Sequence, residues 1–179
     1  MLGLGWIPGL AALHSGFTAT ILTNAILLDA ADAAGLADEA ARIPERTAAA
    51  LRDYAGGART IGDVLGNAVS IDVGRGAGLS AASELSLMVR VGLRTPSTAF
   101  ETYQYLHGPM EVLSDDDALV VFGDGREIGI PASVLEAGVK VVLVTAADIA
   151  TIPSADHPGL IIVHWTRVWE HSSGPSSRR

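Results

Sequence analysis

Apolar residues near the amino terminus of the chain recur with the period of an α-helix. The pattern predicts a first helix over residues 16–34, whose apolar positions are Phe17, Ile21, Leu22, Ile26 and Leu28. It predicts a second helix over residues 37–54, which Gly56 and Gly57 bring to an end, and a short third helix over residues 60–65. The first third of the chain is therefore expected to be helical.

From residue 68 onward the pattern changes to short apolar runs that contain β-branched residues. Strands are predicted where these runs occur, at residues 68–73, 118–122, 139–145 and 160–164. Helices are predicted between strands, over residues 81–91 and around residues 133–137, the latter ended by Gly138. Nearly continuous apolar runs are typical of strands buried on both faces of a parallel sheet. The alternation of strands and helices predicts an α/β domain.

The composition allows a buried core and excludes several functional classes. Hydrophobic residues make up 49% of the 179 residues and charged residues only 18%, which is too apolar for a disordered chain. The absence of cysteine excludes a disulfide scaffold, a zinc–thiolate site and a cysteine nucleophile. A net charge of −8, with only scattered arginines, argues against a nucleic-acid partner.

The most apolar segment, residues 1–28, lacks the features of a membrane span or a secretion signal. Polar residues and a proline interrupt or bound it, at Pro8, His14, Ser15, Asn24 and Asp29. A spanning helix needs about 20 predominantly apolar residues, and a secretory signal begins with a positively charged region. The sequence therefore predicts a cytoplasmic protein without a membrane partner.

A glycine-rich segment, residues 73–80 (VGRGAGLS), follows a predicted strand and leads into a helix. Glycines allow a sharp turn and a close backbone approach, and a helix amino terminus suits a phosphate group. Three interpretations stay open: a phosphate or sugar-phosphate loop, a structural turn, and a dinucleotide loop, which would need glycine at Leu79. The candidate ligand-binding residues here are Gly74, Arg75, Gly76, Ser80 and Ser83.

A second candidate is His107, which precedes a Gly-Pro pair in the segment FETYQYLHGPM, residues 100–110. A histidine at a turn can be aimed into a cleft and can transfer a proton near neutral pH. The same position also suits a surface histidine with no chemical role. Glu101 and Gln104, three residues apart, are expected on one face of a helix.

The acidic residues give no metal-binding pattern. Residues 114–117 (SDDD) lack the alternating ligands, central glycine and terminal glutamate of a calcium loop. They are interpreted as a solvated turn, as is Asp124-Gly125. The other histidines show no ligand spacing, so neither a metal nor a cofactor is predicted.

Together these segments resemble the sugar isomerase (SIS) domain family, especially the second SIS domain of the glucosamine-6-phosphate synthases and related deaminases. The similarity begins at residues 15–20 (SGFTAT) and includes the glycine turn at residues 74–76 and Glu84 in the helix that follows. It is strongest at residues 100–109 (FETYQYLHGP). In all it covers about residues 15–145.

The resemblance implies a three-layer, flavodoxin-like α/β fold with a central, mostly parallel sheet. It implies a phosphorylated sugar or amino sugar as the ligand, with Ser15 and Thr18 as further candidate binding residues. It makes His107 a candidate catalytic residue that assists ring opening, and Glu84 or Glu101 is a secondary candidate. It also implies a homodimer, or a first SIS domain on another chain, as partner.

The chain departs from the family pattern in three places. Val91 occupies the position of a catalytic glutamate, the phosphate-binding first SIS domain is not recognised, and the last residues do not resemble the family's terminal helices. We therefore predict three parts: closing helices and linker over residues 1–57, a SIS domain over 58–165, and a disordered tail over 166–179. These departures suggest a truncated or frame-shifted product, and the absence of cysteine excludes glutaminase activity.

Two functions follow from the sequence as hypotheses. The first is a sugar-phosphate-binding SIS domain related to aminosugar-phosphate isomerases and deaminases, with impaired catalysis. The alternative is a non-catalytic regulatory or interaction domain that senses a phosphorylated sugar, which needs the phosphate site and no base beside the sugar carbons.

Overall fold

The computed structural model describes residues 55–164 and, before them, the helical positions Glu45, Ala48 and Arg52. The predicted helix over residues 16–34, the candidate residues Ser15 and Thr18, and the predicted tail from residue 166 lie outside the described residues. The chain divides into two compact units, Met1–Arg52 and Asp53–Arg179, and every element below belongs to the second. No helix among the described residues has the length and apolar character to cross a membrane.

The described part of the second unit, residues 55–164, contains five strands and four α-helices. The strands are β1 (Val69–Gly74), β2 (Ser97–Glu101), β3 (Asp117–Phe122), β4 (Lys140–Thr145) and β5 (Leu160–His164). The helices are α1 (Ala55–Gly66), α2 (Ala77–Met88), α3 (Thr102–Leu106) and α4 (Ile130–Val134). A π-helical turn (Val89–Leu93) continues α2, and short 3₁₀ turns occur at Pro109–Val112, Arg126–Gly129, Leu135–Ala137 and Ile149–Thr151.

All five strands are parallel and lie in the order β2-β1-β3-β4-β5. Alternate residues of each strand face opposite sides of the sheet, and apolar residues are buried on both. In β3, Leu119 and Val121 belong to the core that contains Tyr105 of α3 and Ile130 of α4. Val120 belongs to a second core on the other face. The predicted three-layer α/β fold with a parallel sheet is confirmed.

The second core packs α1 and the end of α2 against the sheet. It contains Leu65 of α1 and Val89 together with alternate residues of β3 and β4. Buried residues of α2 are small, Ala82 and Ser86, so this helix can lie close to the strands. Close packing of α2 brings its amino terminus to the end of β1.

The prediction that Gly56 and Gly57 end a helix is wrong, because α1 runs from Ala55 through Gly66. Glycine in a helix interior costs about 1 kcal/mol relative to alanine. Burial of Leu65, with Ile61 packed against the same core, favours the helical conformation. Tertiary packing therefore overrides the local preference of these glycines.

Three further features differ from the sequence prediction. Helix α2 begins at Ala77, four residues before the predicted start at Ala81. Strand β2 was not predicted, because its sequence STAFE is short and lacks a continuous apolar run. Glu101 is extended and caps α3, so the expectation that it shares a helical face with Gln104 is wrong.

Candidate functional site

A cleft of about 480 Å³ opens at the carboxyl ends of β1, β3 and β4. From β1 the chain crosses to β2 on one side, whereas β3 pairs with β1 on the other side. The strand order therefore reverses between β1 and β3. Ligands of open parallel sheets bind at such a switch point. Ten residues line the cleft: Arg75, Gly76, Ala77, Gly78, Ala81, Phe122, Gly123, Asp124, Glu127 and Val144.

Glycines shape the turn from β1 into α2. A Cβ atom on Gly74 would lie 2.4 Å from the backbone carbon and oxygen of Gly78, and a Cβ on Gly78 would lie 2.8 Å from the carbonyl oxygen of Phe122. Gly76 has a positive φ of 56°, a conformation that side chains disfavour. The predicted tight strand-to-helix turn is therefore present, and no larger residue fits at Gly74 or Gly78 without a backbone shift.

The amino terminus of α2 forms one wall of the cleft. Its first residues line the cavity, and the N-cap residue Gly76 supplies no side-chain hydrogen bond. The backbone N–H groups of Gly78 and Leu79 donate to the carbonyl oxygens of Arg75 and Gly76 within the first turn. The positive end of the helix dipole consequently faces the cleft, which favours an anionic ligand group.

Two guanidinium groups meet at the ring of Tyr103, beside the cleft. The Cζ atom of Arg75 lies 5.1 Å from the ring centroid, and that of Arg126 lies 5.8 Å from it. Nη1 of Arg75 also lies 3.5 Å from the Tyr103 hydroxyl. Arg75, Tyr103 and Arg126 lie in the segments that follow β1, β2 and β3, so the sheet topology assembles two cations at one edge.

Asp124 connects the ends of β3 and β4. Its Oδ1 atom accepts a hydrogen bond of 3.0 Å from the Thr145 hydroxyl and another from the backbone N–H of Ala146. The sequence suggested only a solvated turn here. Its position directly after a buried strand, at the carboxyl edge of a parallel sheet, was the signal for a place in the cleft.

Glu127 is the buried acidic residue of the cleft, with 5% of its surface exposed. Its Oε1 atom accepts a hydrogen bond of 2.8 Å from the hydroxyl of Thr102, which is fully buried. Sequence reasoning missed this residue, because a glutamate after a Gly-Asp-Gly turn has the local pattern of a solvated loop. Only the folded structure encloses it.

A second buried carboxyl group lies inside the sheet layer, at Asp72 of β1. Its Oδ2 accepts a 2.6 Å hydrogen bond from the Ser97 hydroxyl, and its Oδ1 accepts a 3.1 Å bond from the Ser70 hydroxyl. Burial raises the pKa of Asp72 from 3.8 to about 6, although the two hydroxyls lower it in part. Asp72 does not line the cleft.

The structure brings together only some of the residues predicted to form the site. Arg75 and Gly76 line the cleft, and Gly74 lies directly beneath the turn. Ser80 and Ser83 are exposed on α2, Glu84 is half-buried, and none of the three lines the cleft. The assignment of these residues to ligand binding remains a prediction.

His107 lies at the carboxyl end of α3, where its backbone N–H donates to the carbonyl oxygen of Gln104. This confirms its predicted place at a turn. Its side chain is exposed and does not line the cleft, so its catalytic role stays a prediction. Val91, at the position where the resembled family has a glutamate, is also exposed.

Residues 114–117 form the predicted turn. Oδ2 of Asp117 accepts hydrogen bonds from the backbone N–H and the hydroxyl of Ser114, at 2.7 and 3.0 Å. Asp115 and Asp116 are exposed. Within the described part of the chain, no three histidine or acidic side chains form a group that could hold a metal ion.

Comparisons with known proteins give structural matches only. No protein-family model matches the sequence, and no curated protein matches it. Among solved structures, the chain is similar to a Salmonella typhimurium LT2 protein provisionally named as sugar binding. The TM-score is 0.50 and the identity 17%, over 74% of this chain and 41% of that one.

Two further structures match at lower TM-scores. One is tagatose-6-phosphate ketose/aldose isomerase from Escherichia coli, at TM-score 0.49 and 12% identity, over 65% of this chain and 36% of that chain. The other, from Bacteroides fragilis NCTC 9343, is provisionally named as a phosphosugar isomerase involved in capsule formation. It matches at TM-score 0.45 and 15% identity, over 75% of this chain and 83% of that one.

This chain therefore spans 36% of the Escherichia coli protein and 41% of the Salmonella protein. At 17% identity, the similarity to the Salmonella protein concerns architecture. The described domain shares the parallel α/β fold of that protein.

Proposed function

We propose that the described domain is a SIS-type domain that binds a phosphorylated sugar in the cleft at the carboxyl edge of its sheet. The observation that carries this proposal is the composition of that cleft. It combines a helix amino terminus without a side-chain cap and the guanidinium of Arg75 with the buried carboxylate of Glu127. The phosphate of a sugar phosphate complements the helix terminus and Arg75, and its hydroxyl groups complement the carboxylate.

The phosphate binds at the side of the cleft formed by the β1–α2 turn. There the backbone approaches closely at Gly76, and the dipole of α2 adds positive potential. Arg75 supplies a guanidinium group, which matches the oxygens of a phosphate in pairs. Arg126 raises the positive potential at the same edge through its position on Tyr103.

Two independent observations support the SIS assignment of residues 58–165. The first is the fold, which is similar to that of a protein named as sugar binding. The second is the FETYQYLHGP segment at residues 100–109, which resembles the family and follows the β1–turn–α2 unit as it does there. Under this proposal the partner is a second copy of the chain or a first SIS domain on another chain.

A catalytic version of this function is an aldose–ketose isomerisation of an amino sugar or ketose phosphate. His107 would assist ring opening, and Glu84 would be a second acid–base group. His107 would have to act on a sugar from outside the lining of this cleft, for instance at the cleft of a second subunit.

A non-catalytic sensor is the second candidate, and one observation favours it. Val91 stands where the resembled family carries a catalytic glutamate, and an apolar side chain cannot transfer a proton. A sensor needs the phosphate site alone, which the cleft offers without Val91 or His107.

Calorimetric titration of the full chain with fructose 6-phosphate and glucosamine 6-phosphate tests the proposal. We expect saturable binding, weakened at least tenfold by Arg75→Gln and unaffected by Arg59→Gln, an exposed arginine of α1. No binding at millimolar concentrations would refute the proposed function. Assays of isomerisation and ammonia release on the same samples then separate the enzyme from the sensor.

A further inference from the structure

Glu127 has one carboxylate oxygen that no described residue satisfies. Oε1 accepts a hydrogen bond from Thr102, while Oε2 accepts none from the described residues. Oε2 is not fully enclosed by protein. Among the described residues, the Tyr105 hydroxyl is the only fully enclosed side-chain polar atom without a hydrogen-bond partner. Since Glu127 lines the cleft, this oxygen is the part of the side chain that the cleft can reach.

The backbone around Glu127 leaves space for the carboxylate. Gly123 has a φ of 154°, and a Cβ atom there would lie 2.7 Å from Cγ and 2.8 Å from Oε2 of Glu127. A Cβ on Gly125 would lie 3.3 Å from the same oxygen. Both glycines therefore allow the carboxylate to fold back into the cleft instead of extending into solvent.

This arrangement is unfavourable for an unliganded carboxylate. Burial of a charge costs free energy unless partners replace the lost water, and Glu127 forms no ion pair with any residue that the structure describes. One hydroxyl donor for two oxygens leaves most of the carboxylate's hydrogen-bonding capacity unused. A buried carboxylate with a free acceptor in a cleft is the kind of polar group that orients ligands in binding pockets.

Resting on the proposed function, we propose that Glu127 accepts a hydrogen bond from a hydroxyl group of the bound sugar and thereby selects polyhydroxylated phosphates over simple ones. A carboxylate repels a phosphate and accepts readily from a hydroxyl. It therefore orients the ligand, with the phosphate toward Arg75 and the α2 amino terminus and the sugar toward the loop after β3. Thr102 acts as a positioning residue, since it fixes Oε1 and so directs Oε2.

Asp124, the other acidic residue of the cleft, is less suited to this role. Its Oδ1 atom already accepts two hydrogen bonds that join β3 to β4. The side chain is also exposed, so a hydrogen bond to a ligand competes with water. A hydrogen bond from a ligand hydroxyl is stronger at the buried Glu127, where one carboxylate oxygen has no donor.

The test compares three ligands by calorimetry: fructose 6-phosphate, inorganic phosphate, and an alkyl phosphate without hydroxyl groups. The full wild-type chain is expected to bind fructose 6-phosphate at least tenfold more tightly than the alkyl phosphate. In Glu127→Gln this preference should shrink to less than threefold, while inorganic phosphate binds as tightly as to the wild type or more so. Glu136→Gln, an exposed glutamate away from the cleft, should retain the wild-type preference.

The outcomes separate this inference from the proposed function. If the wild type binds none of the three ligands, the proposed function fails and the role of Glu127 with it. If the wild type binds the alkyl phosphate as tightly as fructose 6-phosphate, only the selection by Glu127 is overturned, and this arm needs no variant to fold. Equal weakening of all ligands by Glu127→Gln would likewise overturn it, because a general loss of structure and not a lost hydroxyl contact would then be measured.

Discussion

The two buried carboxyl groups of this domain, Asp72 and Glu127, have opposite surroundings. Asp72 lies in the sheet, and the hydroxyls of Ser70 and Ser97 occupy both of its oxygens. Glu127 lines the cleft at the end of the sheet, and the single hydroxyl from Thr102 leaves one of its oxygens without a donor among the described residues. The first is a closed polar cluster within the fold, while the second has capacity left for a ligand. The number of carboxyl oxygens that have a donor within the protein, more than burial, distinguishes a structural carboxyl group from a candidate binding one.

The largest effect on stability is expected from Gly74→Ala, which alters the turn from β1, the strand of Asp72, into α2 at the cleft. The new Cβ would clash with the Gly78 backbone at 2.4 Å, so we expect a loss of roughly 3 kcal/mol in the free energy of unfolding. Urea denaturation measures it. Gly62→Ala is the matched control, because a Cβ there meets nothing within 4 Å on a helix, and it should stabilise by up to about 1 kcal/mol. Equal effects of the two variants would contradict the role of the turn.

Asp72→Asn tests the closed cluster through pH. The folded protein holds the Asp72 proton more tightly than the unfolded chain, since the folded pKa is about 6 against 3.8. Its contribution to stability is therefore fully present below pH 3.8 and is lost as the pH rises through about 6. The asparagine variant lacks this titration.

The stability difference between wild type and Asp72→Asn should shift in favour of the variant by up to roughly 3 kcal/mol between pH 4 and pH 7. Urea denaturation at a series of pH values provides the measurement. Asp116→Asn, in the exposed turn before β3, should show no such shift. A pH-independent difference for Asp72→Asn would mean that the carboxyl group is not desolvated in the fold.

Thr102→Val tests the half-satisfied carboxylate. Removing the hydroxyl leaves Oε1 of Glu127 without its donor, so a loss of about 1–2 kcal/mol in stability is expected. The affinity for fructose 6-phosphate should fall as well, because Oε2 is no longer held toward the cleft. Thr98→Val, exposed in the same region of β2, should change neither quantity, and equal behaviour of the two variants would remove the positioning role of Thr102.

Tyr105→Phe tests a buried polar group that has no partner among the described residues, and its expected effect on stability is the smallest. The Tyr105 hydroxyl is buried and, within residues 55–164, has no hydrogen-bond partner, and burial raises its pKa. Deleting an unsatisfied group removes a desolvation cost, so the variant should be as stable as the wild type or up to about 1 kcal/mol more stable. A loss above 1 kcal/mol in thermal denaturation would indicate a partner for this hydroxyl.

The strands of this fold could be predicted because their local signal agrees with their final environment. The runs at β3, β4 and β5 are apolar nearly throughout. In the fold β3 and β4 are buried on both faces, and the edge strand β5 is partly buried. Strand β2 escaped prediction because it is stabilised by pairing with β1, which local pattern does not encode. Helix α1 crosses its glycines for a related reason, since its stability comes from the packing of Leu65 and its neighbours.

The candidate site was only half accessible from the sequence. Glycine spacing identified the β1–α2 turn and Arg75, because a close backbone approach requires glycine and is therefore visible in the local sequence. Glu127 and Asp72 have no such local sequence signal, since their hydroxyl partners Thr102 and Ser97 are each 25 residues away along the chain. Which polar residue is enclosed depends on tertiary contacts that no short motif records.

The most direct test of the central claim is a chemical-shift map of the ¹⁵N-labelled chain titrated with fructose 6-phosphate. The account predicts concentration-dependent shifts at the backbone amides of Gly76, Gly78 and Gly123, on the two walls of the cleft, with Gly159 unchanged. Shifts confined to other parts of the sheet, or no shift at millimolar ligand, would contradict the assignment of this cleft as a sugar-phosphate site.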